Sequence, residues 1–285
     1  MRSESLACLI IDDPLLRPRY GCLDYAKLLE KMKIHHFFTE IAFIPYNYKR
    51  SYPETVRLFA NNPEYFSICI HGCDHTGNEF GGSNHKLLTD LAAIALWRME
   101  QHKRLTGLPY DPVIVFPQGR FSSTAMMALK DIGIFAAFNS TIQAVDGKEP
   151  APTEYQKPAT LIYHGVPLFL RRYPREKTYI AEDLALGRPI IIVEHHHAFR
   201  DGYDAITRSV DWINSLGNIR WTSLLNIAEH YLGKKYSNIS ADTQVYQAPN
   251  KISAKASLRR VVSEIRDNYI ETNAVLSRFY SMLRG

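Results

Sequence analysis

The chain alternates short apolar runs with longer segments in which apolar residues recur every three or four positions. A short apolar run that stops at a polar residue, glycine or proline predicts a buried strand, whereas the longer spacing predicts an amphipathic helix. Strands that alternate with helices indicate parallel βαβ units. We therefore expect an α/β fold, an irregular (β/α) barrel of seven or eight mostly parallel strands. The predicted strands lie at residues 6–11, 37–45, 65–70, 113–116, 134–138, 160–170, 189–193 and 219–221.

The segments with helical spacing of apolar residues, and the gap before the last of them, indicate how the chain divides into domains. The longest runs from His85 to Thr106 and ends where Gly107 and Pro109 follow. We expect residues 1–235 to form one barrel domain. Residues 236–250 are predicted to be a linker, and residues 251–285 a C-terminal amphipathic helix or helix pair. The apolar stripe of that helix favours packing on the barrel, or against a second copy in a homo-oligomer.

Polar side chains follow most of the predicted strands directly. In a parallel barrel the carboxyl ends of the strands meet at one rim, and active sites gather there. Residues far apart in sequence are therefore expected to lie close together. The candidates are Asp12, Asp13, Asn47, Arg50, His71, His75, Gln118, Arg120, Asn139 and Glu194–His197.

His71 and His75 lie four residues apart at the end of an apolar run. That spacing lets both imidazoles reach one cation if the chain turns helical there. Asp13 is the expected third ligand, since two histidines and a carboxylate with open positions form a hydrolytic metal site. A competing site would use Cys69 and Cys73 with the two histidines. Four ligands on one extended strand span too far for one tetrahedral site, so we favour the Asp-His-His arrangement.

Four motifs, taken together and in this order, resemble those of the polysaccharide deacetylases, the NodB-like carbohydrate esterases. They are an apolar strand ending in Asp12-Asp13, the His71-to-His75 pair, Pro-x-Gly after a strand at residues 117–119, and an aliphatic strand ending at His195. The resemblance covers roughly residues 6–233 and implies that the barrel domain, residues 1–235, is a deacetylase-like catalytic domain. It implies that Asp12 is the general base, that Asp13, His71 and His75 hold the metal, and that His195 is the acid.

The acid and the supporting residues are less sharply defined by the resemblance. His195 and His197 would share a face of an extended chain, and an offset to His196 or His197 stays open. The arginine that normally precedes the third-motif proline is replaced by Ile114 and Val115. Arg50 or Arg120 is the expected substitute. The fourth motif, with its Asp and Trp, has no match near Asn139, and His196 stands where an Asp usually follows the acid.

The resemblance implies a metal-dependent hydrolase that removes an N-acyl group from a sugar, and N-acetyl is the acyl group we expect. We expect zinc, with cobalt, nickel or manganese as alternatives. The substrate would be a nucleotide-linked, lipid-linked or oligosaccharide precursor of a surface polysaccharide. The residues expected to bind it are Asn47, Arg50, Gln118, Arg120 and Asn139. The alternatives are a non-catalytic glycan-binding or assembly protein, and a glycosidase that uses Asp12 and Glu194 without a metal.

Charge and composition restrict the partners. The formal net charge is +5, from 34 basic and 29 acidic residues, and residues 251–285 hold seven of the basic and three of the acidic ones. This distribution argues against nucleic-acid binding by the main body. No apolar run approaches the length of a transmembrane helix, and the first residues lack signal-peptide features. We therefore expect a cytoplasmic protein, with a basic C-terminal helix as a route to the inner membrane face.

Overall fold

A computed structural model describes residues 4–150 and 161–236. The predicted C-terminal helix, and the predicted linker apart from Tyr236, lie outside these residues. Within the described part, no helix is both long and apolar enough to cross a membrane. The strands are β1 (Ser5–Asp12), β2 (Arg19–Tyr20), β3 (Leu23–Asp24), β4 (Thr39–Phe43), β5 (Phe66–His71), β6 (Asp111–Val115), β7 (Ala136–Asn139), β8 (Leu161–Tyr163), β9 (Val166–Leu170), β10 (Ile190–His195) and β11 (Ile219–Trp221).

Seven of the strands form a parallel ring in the order β10, β1, β4, β5, β6, β7 and β9. An isolated parallel bridge between Arg172 and Ile192 closes this ring between β9 and β10. There the Arg172 amide donates to Ile191 O at 2.8 Å, and the Val193 amide donates to Arg172 O at 2.9 Å. The predicted α/β fold, an irregular barrel of mostly parallel strands, is confirmed.

Helices surround the ring, because their apolar faces pack on the outward side chains of the strands. Leu9 and Ile11 of β1 belong to this outer apolar layer, whereas Cys8 and Ile10 belong to the barrel interior. The alternation follows from the two-residue period of a strand. The helices are α1 (Tyr25–His35), α2 (Pro53–Ala60), α3 (His85–Thr106), α4 (Ser123–Asp131), α5 (Lys177–Ala185), α6 (Asp204–Ser215) and α7 (Leu224–Leu232).

Helix α7 covers the end of the interior at which the parallel strands begin. Its residues Leu224, Ile227 and Ala228 are buried among the inward side chains of the ring. The first amides of α7 are satisfied by two inward carboxylates: Leu224 N–H donates to Glu40 at 3.1 Å, and Leu225 N–H donates to Asp111 at 3.1 Å. The opposite end of the interior is left for the polar residues that follow the strands.

Residues 161–170 differ from the prediction of one strand over 160–170. They form an antiparallel hairpin of β8 and β9, in which His164 and Gly165 adopt positive φ angles of 48° and 86°. A tight turn with two left-handed residues divides the apolar run. Arg171 is the first residue after β9, and it lies next to the bridge at which the ring closes.

Candidate metal and catalytic site

Asp12 and Asp13 stand at the carboxyl end of β1, at the centre of the rim. Asp12 is the last residue of the strand and follows Cys8 and Ile10 on the inward face, where it is 2% exposed. Asp13 has a φ of 79°, a left-handed conformation that Asp tolerates better than most residues. The turn brings the second carboxylate to the rim beside the first.

His71 and His75 meet Asp13 at this rim. Nε2 of each histidine lies 3.1 Å from Asp13 Oδ1, and the three potential ligand atoms all lie within 4.8 Å of one another. His71 is the last residue of β5, but the chain then forms a loop rather than the helical turn considered from the spacing. His75 has a φ of 55° in that loop. The loop, not a helix, brings the two imidazoles together.

The three groups fit a divalent cation. His71 Nδ1 lies 3.0 Å from Val115 O, and a ring that donates its Nδ1 proton there presents the lone pair of Nε2 to Asp13. A divalent cation between that nitrogen and Asp13 Oδ1, or a proton on Nε2, satisfies both atoms at this separation of 3.1 Å. Ligand atoms bound tetrahedrally to one zinc ion at about 2.0–2.1 Å lie roughly 3.3 Å apart. The two separations of 3.1 Å between Asp13 Oδ1 and the imidazole nitrogens are therefore close to those of ligands that share one ion.

The pKa shifts agree with a site built around positive charge. Burial alone would raise the pKa of Asp13, but the charge of His75 and the contact with His71 hold it well below its usual range. Burial would lower the pKa of His71, but the carboxylates of Asp12 and Asp13 raise it above its ordinary value. Burial lowers the pKa of His75, and Asp13 only partly offsets this. Asp13 is thus held as an anion beside imidazoles that differ in proton affinity.

The arginine that contacts Asp12 is Arg171, not Arg50 or Arg120. Arg171 Nη1 lies 2.8 Å from both carboxylate oxygens of Asp12, and both side chains are buried. Arg50 Nη1 instead donates to Asn47 Oδ1 at 2.8 Å, and Arg120 Nε donates to Asn78 Oδ1 at 2.9 Å. The expected substitution by Arg50 or Arg120 was therefore wrong.

Sequence reasoning missed Arg171, which was not among the polar residues selected after the predicted strands. The signal was nevertheless present, since Arg171 is a polar residue that directly follows an apolar run. The same criterion had selected Asp12 and Asp13.

The three consecutive histidines have different surroundings. His195 ends β10 opposite Asp12 in the β1 register, and its Nε2 lies 3.9 Å from Asp12 Oδ2. His196 is 5% exposed, and its ring packs edge-on against Tyr20 at 4.9 Å. The ring of His197 lies 3.9 Å from that of His196. The structure thus brings His195 to the predicted metal site.

The structure does not bring together the residues of the two alternative sites considered from the sequence. These are the Asp12–Glu194 pair and the metal site with Cys69 and Cys73. Glu194 pairs with Ile11 in the β1 register, so its side chain points to the opposite face of the sheet from Asp12. Cys69 packs in the barrel interior and Cys73 in the outer layer, on opposite sides of the ring. Among the described residues, the only group of ligand-type side chains close enough to hold a metal is Asp13, His71 and His75.

The predicted substrate-binding residues divide by exposure. Gln118 and Arg120 are exposed on the loop after β6, and a Cβ at Gly77 would lie 3.4 Å from Gln118 Oε1. They therefore line the loop that carries His75. Asn47 is 3% exposed and pairs with Arg50.

Asn139 is fully buried, and its side-chain amide donates to the carbonyls of Gly119 and Thr141 at 2.9 Å each. These contacts hold the Gly119 loop in place beside the rim. Substrate contact by any of the five residues stays a prediction.

Comparison with solved structures identifies the fold. The chain is similar to a protein from Mycobacterium smegmatis that is assigned as a polysaccharide deacetylase, with a TM-score of 0.54 and 12% identity over 87% of this chain and 96% of that one. The fold is that of the polysaccharide deacetylases. No protein-family model and no curated protein matches the chain.

Two further similar structures come from Bacillus anthracis. One is a family 4 carbohydrate esterase, at 16% identity over 79% of this chain and 83% of that chain, with a TM-score of 0.48. The other is a pseudoenzyme of the same esterase family, at 9% identity over 79% of this chain and 66% of that chain, with a TM-score of 0.47.

Proposed function

We propose that this protein is a metal-dependent hydrolase that removes an N-acetyl group from a sugar. The observation that carries the proposal is the meeting of Asp13, His71 and His75, with 3.1 Å between Asp13 Oδ1 and each Nε2, beside the buried Asp12–Arg171 pair. A ligand set of two imidazoles and one carboxylate favours zinc, and it can also bind cobalt, nickel or manganese. A bound ion of this kind supplies Lewis-acid polarisation of a carbonyl and a more acidic water.

Asp12 has the surroundings of a general base in this reaction. It is adjacent in sequence to the ligand Asp13 and faces the same rim, so it is placed to take a proton from an attacking water. Arg171 contacts both of its oxygens and fixes their direction. Arg171 is therefore a positioning residue for Asp12.

His195 is the proposed acid that protonates the departing amine. Its Nε2 is 3.9 Å from Asp12 Oδ2, and its side chain is 40% exposed, so a substrate can reach it from the rim. His196 is buried against Tyr20, which argues against the same role. His197 is retained as the second candidate, because it follows in the same turn.

The two alternative functions lose support from the geometry. The non-catalytic interpretation rested on the missing third-motif arginine and the missing fourth-motif Asp. Arg171, which follows another strand, supplies a guanidinium to Asp12 and so removes the first of these two grounds. The glycosidase interpretation needs Asp12 and Glu194 on one face, whereas their positions in the β1–β10 register separate them. A deacetylase accounts for the ligand set, the paired base and the histidine together.

We propose nucleotide-linked, lipid-linked or short oligosaccharide N-acetyl sugars as substrates, with Gln118 and Arg120 as exposed contacts for them. Since nucleotide- and lipid-linked sugars of this kind occur in the cytoplasm and at the inner membrane face, we propose action there. The test is acetate release from a panel of these sugars by metal-free protein and by protein loaded with zinc or cobalt. Release that requires the metal and is lost in Asp13→Ala supports the proposal; equal release without metal contradicts it.

A further inference from the structure

The loop that carries His75 has a conformation that its sequence alone would hold weakly. It leaves β5 after His71 and passes through left-handed residues at Gly72, His75, Gly77 and Asn78, with φ angles of 61°, 55°, 66° and 38°. Three of the first five residues after the strand are polar, and no regular secondary structure supports them. A metal ligand on such a loop needs another group to hold its position.

The carboxylate of Glu79 lies inside this loop and accepts hydrogen bonds from four consecutive backbone amides. Oε1 accepts from Cys73 N at 2.7 Å and from His75 N at 3.3 Å. Oε2 accepts from Asp74 N at 3.1 Å and from Thr76 N at 3.3 Å. Consecutive amides that converge in this way form an anion-binding concavity. Here the bound anion is a side chain of the same loop.

Two further features show that the loop is built around this carboxylate. A Cβ at Gly72 would lie 2.0 Å from Glu79 Oε1, so only glycine leaves room for it. On the other side of the loop, Arg98 of α3 pairs with Asp74 at 2.6 Å and donates to Cys73 O at 3.3 Å. Arg98 thereby ties the loop to α3, while Glu79 determines its internal conformation.

We infer that Glu79 is the positioning residue for His75: its carboxylate shapes the loop so that Nε2 of His75 reaches Asp13. The inference rests on the proposed metal-dependent function, since it concerns the affinity of the Asp13–His71–His75 site. Glu79 donates no atom to that site and acts through the backbone. His71 needs no such support, because it stands on β5 and its Nδ1 is held by Val115 O.

Replacing Glu79 should therefore weaken metal binding without removing a ligand. Glu79→Gln keeps the size of the side chain but removes its negative charge. It also replaces one accepting oxygen with an NH2 group, whose protons would face the protons of the backbone amides. Loss of a group that orients a metal ligand typically costs about 10- to 100-fold in metal affinity. Glu79→Asp keeps the charge with a shorter reach, so its affinity should fall between those of Glu79→Gln and the wild type.

The experiment measures Zn²⁺ affinity by competition with a chromophoric chelator, and the visible absorption of Co²⁺-loaded protein. Glu64→Gln is the matched control, because Glu64 is an exposed loop residue and the substitution makes the same change of charge. Hydrogen exchange of amides 73–76 in metal-free protein adds a readout that requires neither metal nor activity. We expect faster exchange of those amides in Glu79→Gln, a roughly 10- to 100-fold weaker Zn²⁺ affinity and an altered Co²⁺ spectrum.

The outcomes separate the inference from the proposed function. Wild-type protein that binds Zn²⁺ but releases no acetate from any sugar would contradict the proposed function and leave the positioning role intact. Glu79→Gln with wild-type Zn²⁺ affinity and wild-type exchange of amides 73–76 would overturn the inference alone. Wild-type protein that binds neither Zn²⁺ nor Co²⁺ would overturn both. If Glu79→Gln does not fold, Glu79→Asp decides the question with the same measurements.

Discussion

The barrel interior holds buried carboxylates at both ends. The two sets differ in the kind of group that contacts them. At the carboxyl ends of the strands, Asp12 faces the guanidinium of Arg171 and Asp13 faces two imidazoles. At the other end, Glu40 of β4 is fully buried beside Asp111 of β6, and the contacts described there are amides and hydroxyls. Among the described residues, the carboxylates at the first end contact a guanidinium and two imidazoles, whereas those at the other end contact neutral donors.

The pKa directions follow from this difference. Histidines hold the pKa of Asp13 well below its usual range, against the effect of burial. Burial raises the pKa of Glu40 well above its usual range, and the neighbouring charge of Asp111 raises it further. The pKa of Asp111 is also raised by burial. The pair at the second end therefore favours sharing a proton, whereas Asp13 favours its anionic form.

The comparison assigns different roles to the two ends. A carboxylate kept as an anion beside imidazole nitrogens suits cation binding and chemistry. A pair of carboxyl groups that caps the first amides of α7 suits the closing of the barrel. Residues at the amino ends of barrel strands generally serve stability, and those at the carboxyl ends serve activity. The same residue type thus holds a helix at one end and is proposed to hold a metal at the other.

The largest expected effect separates the two ends by function. Asp13→Ala should abolish Zn²⁺ binding and lower acetate release to the level of metal-free protein, because it removes the ligand that lies between the two imidazoles. Glu40→Gln should leave both properties unchanged, since it lies at the opposite end. Zn²⁺ titration and acetate assays of the two variants check this. Loss of Zn²⁺ binding in Glu40→Gln would break the comparison.

A second prediction concerns the buried Asp12–Arg171 pair. Arg171→Met leaves the 2%-exposed Asp12 without its guanidinium, and removal of one partner of a buried ion pair typically costs about 3–5 kcal/mol. The free energy of unfolding in urea should fall by that amount. The double variant Asp12→Asn with Arg171→Met should recover much of the stability, because the unpaired charge is gone, but no activity. A double variant as unstable as Arg171→Met would show that Arg171 contributes by packing rather than by charge.

The smallest expected effect is a pH dependence of stability at the α7 end. The folded pKa of Glu40 is raised, so its contribution to stability is present below the unfolded pKa and is lost as the pH rises towards the folded value. Glu40→Gln removes this loss while an amide oxygen can still accept from Leu224 N–H. The variant should therefore exceed the wild type in free energy of unfolding at pH 8, by on the order of 1 kcal/mol, and the gain should shrink towards pH 5.

Asp13→Asn in metal-free protein gives the matched measurement at the other end. The pKa of Asp13 is lowered, so its contribution is present above the unfolded pKa and is lost as the pH falls through the folded value. Near neutral pH this substitution should therefore destabilise the protein. Urea unfolding of the two variants at pH 5 and pH 8 compares them directly, and the same sign of change in both would contradict the proposed difference between the ends.

Much of the barrel could be predicted from local patterns. A run such as Leu6–Ile11 signals a buried strand wherever it occurs, and the period of α3 predicted its bounds, His85–Thr106, as the structure has them. The hairpin at β8 and β9 was not separated, although His164 and Gly165 interrupt the apolar run at the turn. Local periodicity describes which face is buried but not where the chain reverses.

The candidate ligands were likewise available from position alone. Asp13, His71 and His75 each follow or end an apolar strand, and parallel strands bring such positions to one rim. The sequence by itself therefore determined which residues are candidates for the metal site. It did not determine how His75 reaches the site, because four-residue spacing suggested a helical turn whereas the loop around Glu79 has left-handed residues.

Tertiary structure alone decided the partners of these residues. Arg171 contacts Asp12 across 159 positions of sequence, and this depends on the closure between β9 and β10. His195 was separated from His196 by strand register, since only the inward position of β10 faces Asp12. Strand-end chemistry is encoded locally, because it depends on burial and period. The pairing of charges depends on which strands become neighbours, and only the folded ring determines that.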